Sequence, residues 1–358
     1  IARMRILFDI VHPADVLFFL RPIRALEARG HDVLVCSREK DIACDLLDEF
    51  GIEHEPVSTA SDSKVGAAFE LLLRDAAVAG LARRFKPHAM VGFGGVSIAH
   101  AGAMLGIPSI AFYDSENASL QTRLTYPAIT KIYVPEGYLG DVPEKKTVRV
   151  PGVKELSYLH PDGFTADRRI AVENGLDPDR KNVFIRLVAW RANHDWGKAG
   201  WSLEELCSVV DRFRREAQIH ISSEVPLPAT MQKYAFSGTK ADVHHVMGHC
   251  DLYVGESATM AAEAAILGVR SVFAGRDHLG YIKDLSDAGL VTSGPLEPDL
   301  SLAELVEQQM QRSDSRVKAD WSRYIEGKPD WSKIVLGSLA PYAPVQRGLG
   351  QPGLRRTA

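Results

Sequence analysis

The chain has 358 residues, a net charge of −4, and 46% hydrophobic, 25% charged and 8% aromatic residues. At roughly 150 residues per domain this is about two domains, and the composition excludes disorder, collagen and a coiled coil as the main architecture. The acidic balance gives no support to a nucleic-acid partner, whose phosphates call for a basic surface.

Taken in chain order, residues 5–11 (RILFDIV) predict a buried strand, 17–29 a helix ended by Gly30, 31–37 a second strand and 41–50 a helix stopped by Gly51. This β-α-β-α order belongs to a parallel sheet with helices on both faces. It continues as a helix over 69–85, a strand over 89–92, a helix over 96–105 and strands over 108–113 and 131–134. Residues 150–167, with Pro151, Gly152, Pro161 and Gly163, read as a linker. The pattern then restarts, with strands over 182–188, 218–222, 251–254 and 271–274. Helices are expected over 203–216, 259–267, 281–288, 302–311 and 317–325, with a short amphipathic piece at 241–247. From 347 the Gly- and Arg-rich chain reads as a disordered tail. The fold class expected is α/β, two doubly wound Rossmann-like domains facing a cleft, with ligands at the carboxyl ends of strands. The domain boundaries expected are 1–152, a linker over 153–168, a second domain over 169–342 and a tail over 343–358.

Several classes fall away. The turn after the first strand reads DIVHPAD, without the G-x-G-x-x-G of a dinucleotide dehydrogenase, and no Walker loop is present. Cys36, Cys44, Cys207 and Cys250 form no C-x-x-C pair, so neither structural zinc nor a disulfide framework is expected, and a reducing cytoplasm is the expected setting. The apolar run 258–274 contains Glu263 and Arg270 and reads as helix plus strand rather than a membrane span. Residues 1–3 read as a remnant ahead of Met4, and Asp9, His12 and Asp15 interrupt the apolar stretch that a signal peptide would need.

The stretch 250–275 (CDLYVGESATMAAEAAILGVRSVFAG) is the most informative. A strand enters a turn of small residues, Gly255 to Thr259, and a helix follows. Small side chains at Gly255, Ser257, Ala258 and Thr259 let a ligand approach backbone N–H groups, and a helix N-terminus favours an anion such as pyrophosphate. Glu263, one turn in, is placed to hold two vicinal hydroxyls; the plainer alternative is a tight strand–helix junction with Glu263 solvated or ion-paired. Arg186 offers phosphate a bidentate fork, and His194 lies in the loop beyond it. Ser222 and Ser223 end a strand, where they either touch phosphate or cap the strand. His244 and His245 precede the strand at 251–254; no third ligand stands beside them at convincing spacing, so no metal is expected.

In the first half, His12 follows the first strand and is a general-base candidate, its reference pKa being about 6.5. Asp15 either orients it or is the base itself; the alternative for His12 is a cap on the next helix. Gly94 and Gly95 open another anion-binding helix start. Asp114 and Glu116 follow a strand end as further acid/base candidates, while His100 reads as a helix-packing residue. Arg276, Asp277 and His278 follow a second-half strand, where a donor sugar would lie.

These islands carry resemblances. Residues 255–268 resemble the donor-site signature of GT-B-type sugar-nucleotide enzymes, in which a small-residue turn meets the nucleotide phosphates and a helix glutamate, here Glu263, binds the ribose. Val91 to Ser97, Leu105 to Pro108, Glu116-Asn117-Ala118 and Arg123-Leu124 are similar, in order, to the transferase that adds N-acetylglucosamine to a lipid pyrophosphate in peptidoglycan synthesis, with shorter spacing after Asn117. That resemblance adds His244 near the nucleotide base and Asn117 on the acceptor side. The loop after Val188 departs from its glycine-rich turn and has Arg186 and His194 instead. A closer resemblance is to domain-of-unknown-function family 354, carried by Ile185 to Trp190 with Asn193-His194-Asp195, by Ile221 to Glu224 and by Thr259 to Ala265.

The resemblance implies a metal-independent glycosyltransferase of polysaccharide biosynthesis. It would use an NDP-sugar, UDP-linked, on the second domain and take a glycan or lipid-linked acceptor on the first, with no cofactor and with peripheral membrane association open. The runner-up is a UDP-N-acetylglucosamine 2-epimerase-like enzyme using Asp114 and Glu116. The third reading is a non-catalytic sugar-nucleotide-binding protein. The sugar, the acceptor and the oligomeric state are not indicated.

Overall fold

A computed structural model describes residues 3–39, 42–59, 64–116, 119–188, 201–275, 279–294 and 301–344. Seven strands form the first sheet: β1 (Arg5–Ile10), β2 (Asp32–Glu39), β3 (Glu55–Thr59), β4 (Ala89–Phe93), β5 (Ser109–Phe112), β6 (Lys131–Pro135) and β7 (Thr147–Val150). Their order is β3-β2-β1-β4-β5-β6-β7, and every pairing is parallel. Helices α1 (Pro13–Ala28), α2 (Ala43–Glu49), α3 (Lys64–Phe85), α4 (Val96–Leu105) and α5 (Ser119–Thr125) make the crossovers. The strand order reverses between β1 and β4, which opens a crevice at their carboxyl ends.

The second sheet holds β8 (Lys181–Leu187), β9 (Ala217–Ser223), β10 (Leu252–Gly255), β11 (Arg270–Phe273) and β12 (Val291–Ser293) in the order β12-β11-β10-β8-β9, again parallel. Its reversal falls between β8 and β10. Around it stand α6 (Arg168–Glu173), α7 (Leu203–Phe213), α8 (Val243–Met247), α9 (Ala258–Ile266), α10 (Gly280–Asp287), α11 (Leu302–Met310) and α12 (Asp314–Ile325). The architecture is the expected one: two doubly wound parallel sheets.

The structure adds β3, β7 and β12, together with α5, α6 and the last helix, α13 (Trp331–Leu339), none of which the sequence pattern predicts. The three added strands all lie at sheet edges. An edge strand is paired on one side only, so it needs few apolar residues and shows little periodicity.

The segment expected to be an irregular linker is packed instead. Lys154–Ser157 form a 3-10 turn whose four residues are all buried. Helix α13 returns from the second half to lie on α1. Trp331 at its start is fully buried, meets Phe18 edge-on at 6.2 Å between ring centres, and donates its indole N–H to the Pro151 carbonyl at 3.0 Å. Beside it, Arg21 of α1 donates both guanidinium ends to Asp330, at 3.1 and 2.9 Å. One apolar cluster therefore runs from β1 (Ile6, Phe8) through Trp331 to α9 and Tyr253 of β10. None of the described helices is long and apolar enough to cross a membrane.

Candidate functional site

A cavity of about 720 Å³ covers the carboxyl ends of β1, β4 and β5. His12, Asp15, Gly94, Gly95, Asp114 and Lys154 line it from the first half, and Thr259 reaches it from the second. Each is delivered by a strand end. The apolar run of β1 stops at Ile10, and His12 then caps α1, its Nδ1 accepting the Ala14 N–H at 3.2 Å. Asp15 completes the capping box: its Oδ2 accepts the N–H groups of Val11 at 3.0 Å and His12 at 2.9 Å. Asp15 thus ties down the backbone of the turn. Gly94 and Gly95 have φ of +78° and +62°, the left-handed region that lets β4 turn sharply into α4. A Cβ on Gly94 would also strike the Gln121 side chain.

Burial pushes the Asp15 carboxyl up to about 7, against the two amides that favour its ionised form, with Asp9 and Asp114 adding to the rise. A carboxyl that titrates near neutrality exchanges its proton readily at neutral pH.

Asp114 is buried against Lys154, Oδ2 to Nζ 2.6 Å, and Lys154 lies equally close to Glu155 Oε1. Burial opposes the Lys154 charge, but Asp114 and Glu155 outweigh it and hold the ammonium well above the usual lysine value. Glu155 is itself driven up to about 7 by burial, against the pull of Lys154. Lys154 also stands 5.2 Å from the centre of the Tyr281 ring on α10. Glu116 is aimed elsewhere. Its Oε1 accepts the N–H groups of Leu139 at 3.0 Å and Gly280 at 3.2 Å, so it fastens the loop after β5 to the start of α10, off the cavity wall.

In the second half, Ser257 caps α9 and accepts the Met260 N–H at 3.3 Å, leaving Ala258 and Thr259 in the first turn. Gly255 is required by its own sheet: a Cβ there would stand 2.7 Å from both the Arg186 carbonyl and the Tyr253 hydroxyl. Glu256 accepts the N–H of Val188 and of Trp201, each at 2.9 Å, and so ties the residue after β8 to the approach to α7.

Glu263 sits in a buried cluster rather than on the cavity wall. Tyr158 donates to its Oε1 at 2.7 Å, and His244 Nε2 is 3.1 Å from the same oxygen. Burial alone would raise this carboxyl, but His244, Tyr158 and Lys154 together hold it below the usual range. Glu263 is thus held inside the protein, between Tyr158 and His244. His245 turns away and accepts the Asp167 N–H at 2.9 Å. Arg186 donates to Ser222 Oγ at 2.8 Å and to Glu224 at 2.5 Å, while Ser223 closes a turn on Val225. His100 packs between helices, 2.6 Å from Asp75. Asn117, His194, Arg276, Asp277 and His278 lie outside the described residues.

A polar network of Asp9, Arg38, Glu70 and Arg74 also lines the cavity. Arg74 of α3 donates to Asp9, to Ser58 Oγ at 3.0 Å and to the Ser37 carbonyl at 3.2 Å. Arg38 grips Glu70 with two bonds of 2.6 Å. The available signal was charge inside apolar runs: Asp9 in RILFDIV, Arg74 in ELLLRDAAV and Lys154-Glu155 in PGVKELSYL.

The family model described as protein of unknown function (DUF354) matches residues 4–153, the first sheet and its helices. The second-half stretches that resemble that family lie beyond the matched segment. No curated protein matches the chain. Among solved structures, the chain is similar to the glycotransferase of kitacinnamycin, with a TM-score of 0.65 and 14% identity over 96% of this chain and 100% of that one. It is also similar to UDP-GlcNAc 2-epimerase from Neisseria meningitidis bound to UDP-GlcNAc, with a TM-score of 0.64 and 12% identity over 94% and 100%. The S. aureus MnaA–UDP co-structure gives a TM-score of 0.67 and 10% identity over 95% and 96%. These likenesses agree with the two parallel sheets and their crevices: the chain is a GT-B-fold protein whose first domain matches the DUF354 family model.

Proposed function

We propose that the chain is a metal-independent glycosyltransferase that takes a UDP-sugar on the second domain and an acceptor hydroxyl in the cavity of the first. One observation carries this reading: a single cavity wall joins a buried carboxyl of near-neutral pKa, Asp15, to the first turn of α9 at Thr259. The diphosphate belongs at the start of α9, where backbone N–H groups and the helix dipole favour an anion. The acceptor oxygen attacks the sugar carbon, its proton passes to Asp15, and the bond to the diphosphate breaks with UDP taking the electron pair. Asp15 suits the role better than His12. The Nδ1 lone pair of His12 is used by the helix cap, which puts the ring proton on Nε2 as a donor. The kitacinnamycin enzyme and the UDP-bound neighbours support a sugar-nucleotide reading through the shared fold.

The epimerase-like reading keeps one supporting observation, Asp114 held on the wall by Lys154. Glu116, its expected partner, is committed to backbone amides. Calorimetry with UDP, with and without chelator, tests the nucleotide and metal assignments. The reading expects binding that chelator does not change and sugar transfer only with an acceptor present. Absence of UDP binding overturns it. Epimer formation from UDP-N-acetylglucosamine without acceptor replaces it with the second reading, and binding without turnover under either condition replaces it with a non-catalytic sugar-nucleotide-binding protein.

A further inference from the structure

Away from the cleft, an open cavity of about 440 Å³ lies along β12, an edge strand of the second sheet. Its wall holds Ser286, Thr292, Ser293, Gln308, Arg312 and Arg316 around the buried carboxylate of Asp320. Three guanidiniums converge on that one carboxylate: Arg312 at 2.6 Å, Arg316 at 3.0 Å and Arg323 at 2.8 Å. Asp314, the neighbouring acid at the start of α12, is already paired with Arg270. Asp320 neutralises one of three cations, so among the described residues the cluster keeps a local excess of two positive charges. Arg312 is tied inward to the Gly289 carbonyl as well, whereas the side chains of Arg316 and Arg323 are 65% and 66% exposed. Each of those two spends one nitrogen on Asp320; Arg316, on the cavity wall, keeps its other guanidinium N–H groups for a ligand, and Arg323 adds its charge from beyond that wall.

We propose that this cluster is a second anion site, separate from the sugar-nucleotide cleft, that takes a phosphate group, free or as a phosphomonoester. A guanidinium fork matches phosphate oxygens bidentately, and the hydroxyls of Ser286, Thr292 and Ser293 supply neutral donors of the kind that complete a tetrahedral oxyanion's shell. Excess positive charge rather than a paired network separates this site from the Arg38–Glu70 and Arg74–Asp9 pairs, where each cation already has its own carboxylate. The site stands whether or not the glycosyltransferase reading holds.

The test is calorimetry of the full chain with inorganic phosphate, glycerol 3-phosphate and acetate, comparing wild type with Arg316→Gln/Arg323→Gln. Both positions are largely exposed, so the variant keeps its fold, which its thermal midpoint checks. The expected result is phosphate binding that weakens at least about tenfold in the variant, the scale of a lost charge-assisted hydrogen bond, while UDP binding is unchanged. Glycerol 3-phosphate matching phosphate assigns a phosphomonoester; its exclusion assigns the free ion. The proposal is overturned by wild type that does not bind phosphate, by acetate binding as tightly, by a variant with unchanged phosphate affinity, or by a variant that loses phosphate and UDP together.

Discussion

Asp15→Asn separates the two demands placed on one side chain. The folded-state carboxyl lies near 7 and the ordinary aspartate value at 3.8. Below about pH 4 the group is protonated in folded and unfolded chains alike and burial carries no charge penalty. Between about pH 4 and 7 the unfolded chain loses its proton first, so stability falls as pH rises, and above 7 the loss is complete. A displacement of about three pH units at about 1.4 kcal/mol each puts the full loss on the order of 4 kcal/mol. Asparagine does not titrate, and its carbonyl still accepts from the turn, though more weakly, which takes back about 1 kcal/mol. The variant is therefore expected to be more stable than wild type at pH 8 by about 3 kcal/mol, a rise in Tm of roughly 4 °C at this chain length. At pH 4 the advantage should vanish. Thermal scans of both proteins from pH 4 to 8 measure it. Parallel profiles, or a variant less stable at pH 8, would refute the burial argument. If Asp15 is also the base, the same stabilised protein should lose about 10²–10⁴-fold in kcat.

Lys154→Met leaves Asp114 and Glu155 buried without their shared cation and should cost about 3–5 kcal/mol at pH 8. The cost should shrink towards pH 5 as Glu155, whose carboxyl is pushed up to about 7, protonates, and a pH-independent loss in urea titrations would contradict the network. Trp331→Ala removes the anchor of α13 on α1 and should cost about 3–5 kcal/mol, with proteolysis after residue 325 as the readout. Unchanged protease resistance would show that α13 is held by other means. In Gly280→Ala the new methyl would overlap the Gly137 carbonyl and stand 2.7 Å from Glu116 Oε1. Overpacking there should cost about 1–3 kcal/mol and raise the radius of gyration in solution scattering; a wild-type midpoint and radius would remove Glu116 as a fastening between the two halves.

Much of the fold was legible because the central strands are buried on both faces. Runs such as RILFDIV and NVFIRLV are continuous apolar segments bounded by turn residues, and parallel pairing demands that pattern. Helix α4 falls on the expected residues 96–105, since Gly95 and Gly106 mark its ends. His12 and Asp15 were legible as a pair because strand 1 must deliver whatever follows it to the crevice. By itself, then, the sequence determined two parallel sheets, their central strands and the strand ends where ligand chemistry would gather.

Only tertiary structure decided which groups meet there. The edge strands β3, β7 and β12 owe their form to a neighbour already in place. Lys154 and Glu155 sit in a segment without periodicity, and their burial comes from α1, α9 and α13, which pack on that turn from distant parts of the chain. Glu263 lies where the helix pattern put it, yet Tyr158, 105 residues earlier in the chain, determines which way its carboxylate is held. Glu116 likewise follows β5 as expected, but the Gly280 amide, 164 residues later in the chain, draws it from the cavity. Sequence periodicity reports which face of an element is dry. Which charge stands opposite another depends on contacts between distant segments, and a local pattern does not contain that distance.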